Sequence, residues 1–327
     1  GQSREALACY DQALAIEPTD EQSMLSAGIL LGEMQRFDEG LEMIHRALEH
    51  GADEAHCSRE MGIVFTRAGQ YEDASRIFDR ALKLQPEDAE TYRARAGLRT
   101  RTGQLDGALE DLQAALQLVP RDPNLWREAG ITEASLGRYE QSLEYFQGGL
   151  DLAPADPALR RSRGIALAVL GRNAEALEDL QASLQLLPGD RTSMLHKGIL
   201  LQKMGQRQEA LEVFNELLDA GSDDERILRQ KGICLSELGR EREAILAFDR
   251  AIHLDPEDMQ AIRCKAIALT KLGMFEEAVR TLDRALLIEP EDASSLRLRG
   301  VALAESGHPR AAIQDFDRSL CSDPQDW

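Results

Sequence analysis

Proline falls on a fixed ruler along this chain. Pro18, Pro86, Pro120, Pro154, Pro188, Pro256, Pro290 and Pro324 are separated by the step from Pro86 to Pro120 or by a multiple of it, with no insertion or deletion. A period of this length describes a small supersecondary unit that cannot bury its apolar face alone and must stack on its neighbours. It therefore overrides the two-domain expectation that 327 residues would otherwise carry. The two phases without proline fall on Ala52 and Ser222, where Gly51 and Gly221 stand one residue earlier and can take the left-handed turn that stops a helix. Two residues past the proline phase comes a column of Asp20, Glu54, Asp88, Asp122, Asp156, Asp190, Asp224, Asp258, Asp292 and Asp326. An acid there accepts hydrogen bonds from the open amides of the next helix and sits at the positive end of its dipole. Each tract is read as a helix stop followed by a helix cap.

Inside the unit, two columns stay small. Gly28, Gly62, Ala96, Gly130, Gly164, Gly198, Gly232, Ala266 and Gly300 stand ten residues after the proline phase, within an otherwise helical stretch. A helix-interior glycine costs about 1 kcal/mol relative to alanine, so its recurrence implies close approach of a second helix. Twelve residues on lie Gly40, Ala74, Ala108, Ser142, Ala176, Ala210, Ala244, Ala278 and Ala312, which suggests that small faces small. Gly69, Gly103, Gly137, Gly171, Gly205, Gly239, Gly273 and Gly307 mark the turn between the helices, with Gln35 as the exception. Large apolar residues fill the second helix: Ile44, Phe78, Leu112, Phe146, Leu180, Phe214, Phe248, Leu282 and Phe316, followed four residues later by Leu or Ile. That spacing makes one helical stripe. Asp38, Glu72, Asp106 and Glu140 are expected to cap the second helices.

A helix-turn-helix unit of this period, with this order of small and large positions, resembles the tetratricopeptide repeat. The best single match is Trp126, Ala129, Gly130, Ser142, Phe146, Gly149 and Pro154, and the weaker signature positions recur in every unit. The resemblance implies an all-α fold, a right-handed superhelical solenoid of antiparallel helix pairs whose first helices line a concave groove that binds peptides or protein surfaces. In these terms residues 1–20 are the second helix of a truncated repeat. Nine full repeats follow in one continuous domain: 21–54, 55–88, 89–122, 123–156, 157–190, 191–224, 225–258, 259–292 and 293–326. Cut ends of this kind suggest a fragment of a longer protein, with unpartnered end helices that could associate end to end. The pattern departs from the family where Leu is usual before the small residue: here stand Arg95, Arg163, Lys197, Lys231, Lys265 and Arg299. Arg99 and Glu133 replace an apolar residue in two units, so looser packing is expected there.

The formal charge of −20 argues against nucleic acid and against anionic membrane, since both need a basic surface. RNA along the arginines described below would show steep salt dependence, and the net charge speaks against it. No apolar run approaches the length of a membrane span. Cys9, Cys57, Cys234, Cys264 and Cys321 occupy five different phases and form no CxxC, which fits incidental reduced thiols and a cytoplasmic location. His45, His50, His56 and Cys57 lie close in sequence, but on different faces and in a loop, so no metal or other cofactor is expected. No phosphate loop follows a strand and no carboxylate dyad stands out, so the reading is not that of an enzyme.

The candidate ligand face lies on the first helices. With 100 degrees per residue, side chains seven, eleven and fourteen after the proline phase share a face adjoining the small column. Its first column reads Leu25, Arg59, Arg93, Arg127, Arg161, Leu195, Arg229, Arg263 and Arg297. One turn further stand Ile29, Ile63, Gly97, Ile131, Ile165, Ile199, Ile233, Ile267 and Val301. Guanidinium groups beside aliphatic side chains suit an extended peptide carrying carboxylates and apolar residues. The nominated peptide-binding residues are Arg59, Arg93, Arg127, Arg161, Arg229, Arg263 and Arg297, with Ile131, Ile165 and Ile233. Alternatively the arginines pair with acids of the next unit, including the loop acids, and the isoleucines pack repeat on repeat. The basic column from Arg95 to Arg299 points the other way, toward His45, Asp79, Gln113, Gln147, Gln181, Asn215, Asp249, Asp283 and Asp317 on the second helices. The expected function is a non-catalytic scaffold for an acidic or mixed acidic and apolar partner. The alternative is the regulatory or substrate-recruiting part of a larger enzyme. Irregularities also recur five periods apart, as in MLSAGILLGEM at 24–34 and MLHKGILLQKM at 194–204, which points to a duplicated block of five units and two related binding segments.

Overall fold

A computed structural model describes residues 2–221 and 223–322. Ser222, Pro324 and Asp326 of the columns above, and the outer ends of the first and last expected repeats, lie outside the described residues. The chain divides into two compact units, Gly1–Leu170 and Gly171–Trp327. Unit 1 holds α1 (Gln2–Ile16), α2 (Glu21–Glu33), α3 (Phe37–Glu49), α4 (Glu54–Arg67), α5 (Tyr71–Leu84), α6 (Ala89–Arg101), α7 (Leu105–Leu118), α8 (Pro123–Ser135), α9 (Tyr139–Leu152) and α10 (Pro157–Val169). Unit 2 holds α11 (Asn173–Leu186), α12 (Arg191–Lys203), α13 (Arg207–Asp219), α14 (Glu225–Glu237), α15 (Glu241–Leu254), α16 (Met259–Lys271), α17 (Phe275–Ile288), α18 (Ala293–Glu305) and α19 (Pro309–Ser322). All regular structure among the described residues is helical.

The helix boundaries follow the turn chemistry. Asp20, Asp88, Asp122, Asp156, Asp190, Asp224, Asp258 and Asp292 each cap a first helix by accepting a backbone N–H. The second repeat differs: the cap is Asp53, not Glu54, and it accepts the His56 N–H at 2.7 Å. Gly51, at φ 100°, turns the chain out of the preceding helix, and the next helix starts a residue earlier than in the other repeats. The between-helix glycines all have φ between 73° and 85°, and Gln35 adopts the same left-handed conformation at φ 63° without glycine's freedom. The following residue, such as Gln70 or Gln104, takes the N-cap place without a side-chain cap. Asp38, Glu72, Asp106 and Glu140 therefore lie in the first turn of the second helices and do not cap them. Their contribution is to the helix dipole.

The core of each hairpin explains the glycine column. A Cβ on Gly62 would lie 2.7 Å from the Phe78 ring, and one on Gly130, Gly232 or Gly300 would lie 2.5 Å from Phe146, Phe248 or Phe316. The ring sixteen residues on occupies the missing side chain's volume. Small facing small occurs at Gly28, where the Gly40 carbonyl stands 2.9 Å from a Cβ position and the Ile44 side chain 2.6 Å; at Gly62, Gly130, Gly198, Gly232 and Gly300 the glycine admits an aromatic ring. Where alanine replaces glycine, at Ala96 and Ala266, the partner shrinks to Leu112 and Leu282, both buried.

Within each unit the neighbouring first helices touch, as in α2 with α4, α4 with α6 and α14 with α16. The second helices stand further apart. The first-helix side is thus the tighter, inner side of each unit. One pair departs from this: α6 and α8 approach each other less closely than the other neighbouring first helices of unit 1.

Candidate functional site

The arginine column meets the caps of the following repeat. Arg59 Nη1 donates to Asp88 Oδ2 at 2.9 Å, Arg263 Nη1 to Asp292 Oδ2 at 3.0 Å, and Arg229 Nη1 to Asp258 Oδ2. Each of these acids also caps a helix, so one carboxylate fixes a helix start and ties it to the preceding repeat. Burial works against the charge of Arg59, yet bonds to Asp88 and Glu60 outweigh it and raise its pKa. At Asp88 and Asp292 burial again opposes ionisation, but Thr91 and Arg59, and Ser295 and Arg263, prevail and hold the carboxyls below their ordinary range.

Arg93 breaks the register. Its Nε and Nη2 donate to Glu128, at 3.0 Å to Oε2 and 2.6 Å to Oε1 respectively, bypassing Asp122. The position corresponding to Glu128 is Ala94 for Arg59, Cys264 for Arg229 and Leu298 for Arg263, so only Arg93 is offered a second carboxylate there. Arg161 and Arg297 are engaged as well. Arg127 is half-buried and makes no hydrogen bond or ion pair among the described residues. Of the nominated isoleucines, Ile131 is 41% exposed, whereas Ile165 and Ile233 are half-buried and Ile233 packs on the core around Phe214 and Phe248.

Three nominated residues of unit 1, Arg59, Arg93 and Ile131, line one cavity of about 620 Å³ on the inner face of α4, α6 and α8. Ile63, Phe78 and Leu112 contribute to its apolar lining. Gly97 also lines it, and a Cβ there would meet nothing within 4 Å. The cavity lies where the isoleucine column lapses to glycine, beside the widest gap between neighbouring first helices of unit 1. The lapse is visible in the sequence; the gap is not.

Two family models, both described as the tetratricopeptide repeat, match the chain, one over residues 61–123 and 265–326 and the other over 127–191 and 195–258. The chain is a tetratricopeptide-repeat (TPR) protein. None of the curated proteins matches it. Among solved structures, it is similar to a TPR protein from Parabacteroides merdae, at 19% identity and a TM-score of 0.59, over 73% of this chain and 94% of that one. It is also similar to a chain of the APC/C hetero-tetramer Cut9–Hcn1, at 14% identity and a TM-score of 0.60, over 98% and 79%. Yeast Tom70 matches at 16% identity and a TM-score of 0.56, over 98% and 82%. At these identities the likeness is one of fold: an all-α TPR array of stacked helix pairs.

Two of the basic positions that depart from the TPR pattern, Arg95 and Arg299, are clamps between second helices, and Arg163 and Lys265 each reach one. Arg95 Nη1 donates to Asp79 at 2.7 Å, and its Nε and Nη2 grip Asp111 at 3.0 and 2.6 Å. Arg299 repeats this with Asp283 and Asp315. Arg163 donates to Gln147 at 2.5 Å, and Lys265 lies 2.6 Å from Asp249. The second-helix column is the partner that the sequence suggests; the buried Asp111 and Asp315 are additional, although each stands sixteen residues after its arginine. Burial opposes the charge of Arg95, but Asp111 and Asp79 overcome it and raise its pKa. The polar intrusion at Arg99 is absorbed by the same means: its Nη1 donates to the Gly107 carbonyl at 2.8 Å and lies 2.9 Å from Asp111. The buried Glu133 lies 3.5 Å from Arg138, and its Oε2 has no hydrogen-bond partner among the described residues.

Elsewhere the TPR chain is chemically quiet. Cys234 is buried and its Sγ–H donates to the Arg207 carbonyl at 3.0 Å; burial pushes the thiol up to about 11. Among the described residues no three His, Cys, Asp or Glu side chains converge on a metal position, and no helix is long and apolar enough to cross a membrane.

Proposed function

We propose that this TPR protein is a binding scaffold rather than an enzyme, and that the first-helix face of unit 1 holds an extended peptide bearing carboxylates and apolar side chains. The TPR repeats support the coarser statement, a protein-interaction scaffold. Arg127 carries the finer one. In a chain where 58 acidic residues outnumber 38 basic ones, this half-buried guanidinium has no internal acid among the described residues. A ligand carboxylate could take its N–H groups in two parallel hydrogen bonds and relieve an unpaired, partly desolvated charge. The paired arginines play a different part: Arg59, Arg229 and Arg263 are already neutralised and set repeat against repeat. The acidic specificity thus contracts from the whole column to Arg127 and its surroundings.

Capture of partners on the intact chain, followed by peptide mapping, tests the proposal. Recovered segments should be rich in Asp and Glu around apolar residues, and Arg127→Ala should weaken them about tenfold, the loss of one charge-assisted contact. Segments without acidic residues, or affinity indifferent to Arg127→Ala, would sink it.

A further inference from the structure

We infer that the cavity opened by Gly97 is an anchor subsite for one large apolar side chain, aromatic or long aliphatic, of a peptide that carries acidic residues on either side. The inference rests on the acidic-peptide reading above. Four observations carry it. The floor of the cavity is apolar: Ile63 and Ile131 line it over the buried Phe78 and Leu112, with Ile131 left 41% exposed while Ile29, Ile63 and Ile165 of its column are half-buried. The hydroxyls that line the cavity are already turned onto their own helices, Thr66 to the Gly62 carbonyl at 2.8 Å, Thr100 to Ala96 and Thr132 to Glu128 both at 2.9 Å. They ask nothing of a ligand, so its centre favours an apolar group.

The charged rim is asymmetric in its satisfaction. Arg59 is held by Asp88 and Glu60, and Arg93 by Glu128 with Glu90 nearby. Arg67 lies 3.7 Å from Glu33. Arg101, one turn beyond Gly97 on α6, is exposed and makes no hydrogen bond or ion pair among the described residues. Arg127 is the second such cation; it is not part of the lining but stands one turn before the lining residue Ile131 on α8. One open guanidinium on the rim and a second on the helix that carries Ile131 are complementary to carboxylates flanking an apolar side chain. Lastly, the hollow is particular to this repeat. The residue that follows the small column is Ile or Val in every other unit, and five repeats on it is Ile267.

The test uses fluorescence anisotropy on the intact chain with two fluorescein-labelled heptapeptides. One has a central Phe with three acidic residues on each side; the other has a central Ala. Wild-type protein is expected to bind the Phe peptide at least tenfold more tightly than the Ala peptide. Gly97→Ile, which fills the hollow with the residue its column otherwise uses, should erase that difference and leave the Ala peptide unaffected. Arg127→Ala should weaken both peptides alike. Ile131→Ala, which removes lining rather than adding bulk, provides a second route to the same loss should Gly97→Ile fail to fold by circular dichroism. Equal binding of the two peptides by wild-type protein overturns the anchor subsite and leaves the acidic-peptide reading standing. Binding of neither overturns both. If wild-type protein dimerises in sedimentation and Gly97→Ile abolishes the dimer, the occupant is a second copy of the chain and the inference falls.

Discussion

The surroundings of Gly97 in unit 1 and of Ile267 in unit 2 are two versions of one design. Arg59, Ile63, Phe78, Arg93, Ala96, Leu112 and Arg127 recur five repeats later as Arg229, Ile233, Phe248, Arg263, Ala266, Leu282 and Arg297. What differs lies together. Gly97 becomes Ile267, Glu128 becomes Leu298, and the cluster of Arg95, Arg99 and Asp111 becomes Lys265, Leu269 and Thr281. Unit 2 carries a side chain, Ile267, where unit 1 has Gly97, and joins α16 to the preceding second helix by Lys265 with Asp249. Unit 1 leaves the face open and draws Arg95 and Arg99 onto one buried carboxylate. The hollow lies where first helices pack least closely in unit 1, and on the other side of α6 the ionic clamp ties that helix to both neighbouring second helices.

The largest contrast should appear when the clamp is cut. Asp111→Ala leaves two half-buried guanidinium groups facing a gap, with only Asp79 and the Gly107 carbonyl still in reach. A loss of about 3 kcal/mol is expected, the lower end for breaking a buried pair. Thr281→Ala removes the hydroxyl's bond to the Glu277 carbonyl and should cost at most about 1 kcal/mol. Native-state hydrogen exchange reads the two places separately, at α6 and α7 and at α16 and α17. Equal protection losses would mean that the clamp has no special role.

Next in size is a contrast between two glycines one repeat apart. Gly62→Ala would thrust a methyl to 2.7 Å from the Phe78 ring, so an overpacking cost of about 1–3 kcal/mol should outweigh the helix-propensity gain. Gly97→Ala enters open space and should instead stabilise the helix by about 1 kcal/mol. Urea denaturation of both variants checks the opposite signs. A gain at both positions would show that Phe78 yields easily and that the glycine column is not set by the ring.

These glycines also show how much can be read in advance. The period, the turn glycines, the aspartate caps and the helix pairing follow from local chemistry repeated in register, and all are legible. So is the choice facing the arginines, because the cap acids of the next repeat stand at a constant interval from Arg59, Arg229 and Arg263. Three things are not. Asp38 and its counterparts look like caps until the turn glycine and the residue after it consume the cap position. Arg93 has two acids at suitable intervals, and the sequence alone does not say that it takes Glu128. Gly97 is a visible lapse in the isoleucine column, yet a lapse becomes a cavity only if the neighbouring helix fails to close over it. Each failure is one of tertiary distance, which a periodic sequence encodes weakly.

Acid should affect both units in the same direction. Asp88 and Asp292 have pKa values below those of an unfolded chain, so the stability they contribute is complete above about pH 4 and is lost as pH falls through their lowered values. Melting temperature should therefore drop as pH falls below about 4. Asp88→Asn keeps a competent cap but loses the Arg59 pair and its titration, so the variant should start lower at neutral pH and lose less on acidification. A parallel drop in both proteins would assign the acid sensitivity to other carboxyls.

The smallest expected effect is the most diagnostic of the difference between the units. Glu128→Leu gives unit 1 the residue that unit 2 has at Leu298, and it removes the acid that draws Arg93 across the wider gap. Arg93 should then turn to Asp122, as Arg263 turns to Asp292. Because one partly exposed pair replaces another, stability should change by no more than about 0.5 kcal/mol. The side-chain carboxyl carbon resonance of Asp122, followed by NMR at neutral pH, should move as the guanidinium arrives. If Asp122 does not respond, the register of Arg93 is set by the separation of α6 and α8 rather than by a competition between two acids. The open face of unit 1 would then be a property of backbone packing, which substitution at Glu128 alone cannot convert into the closed form.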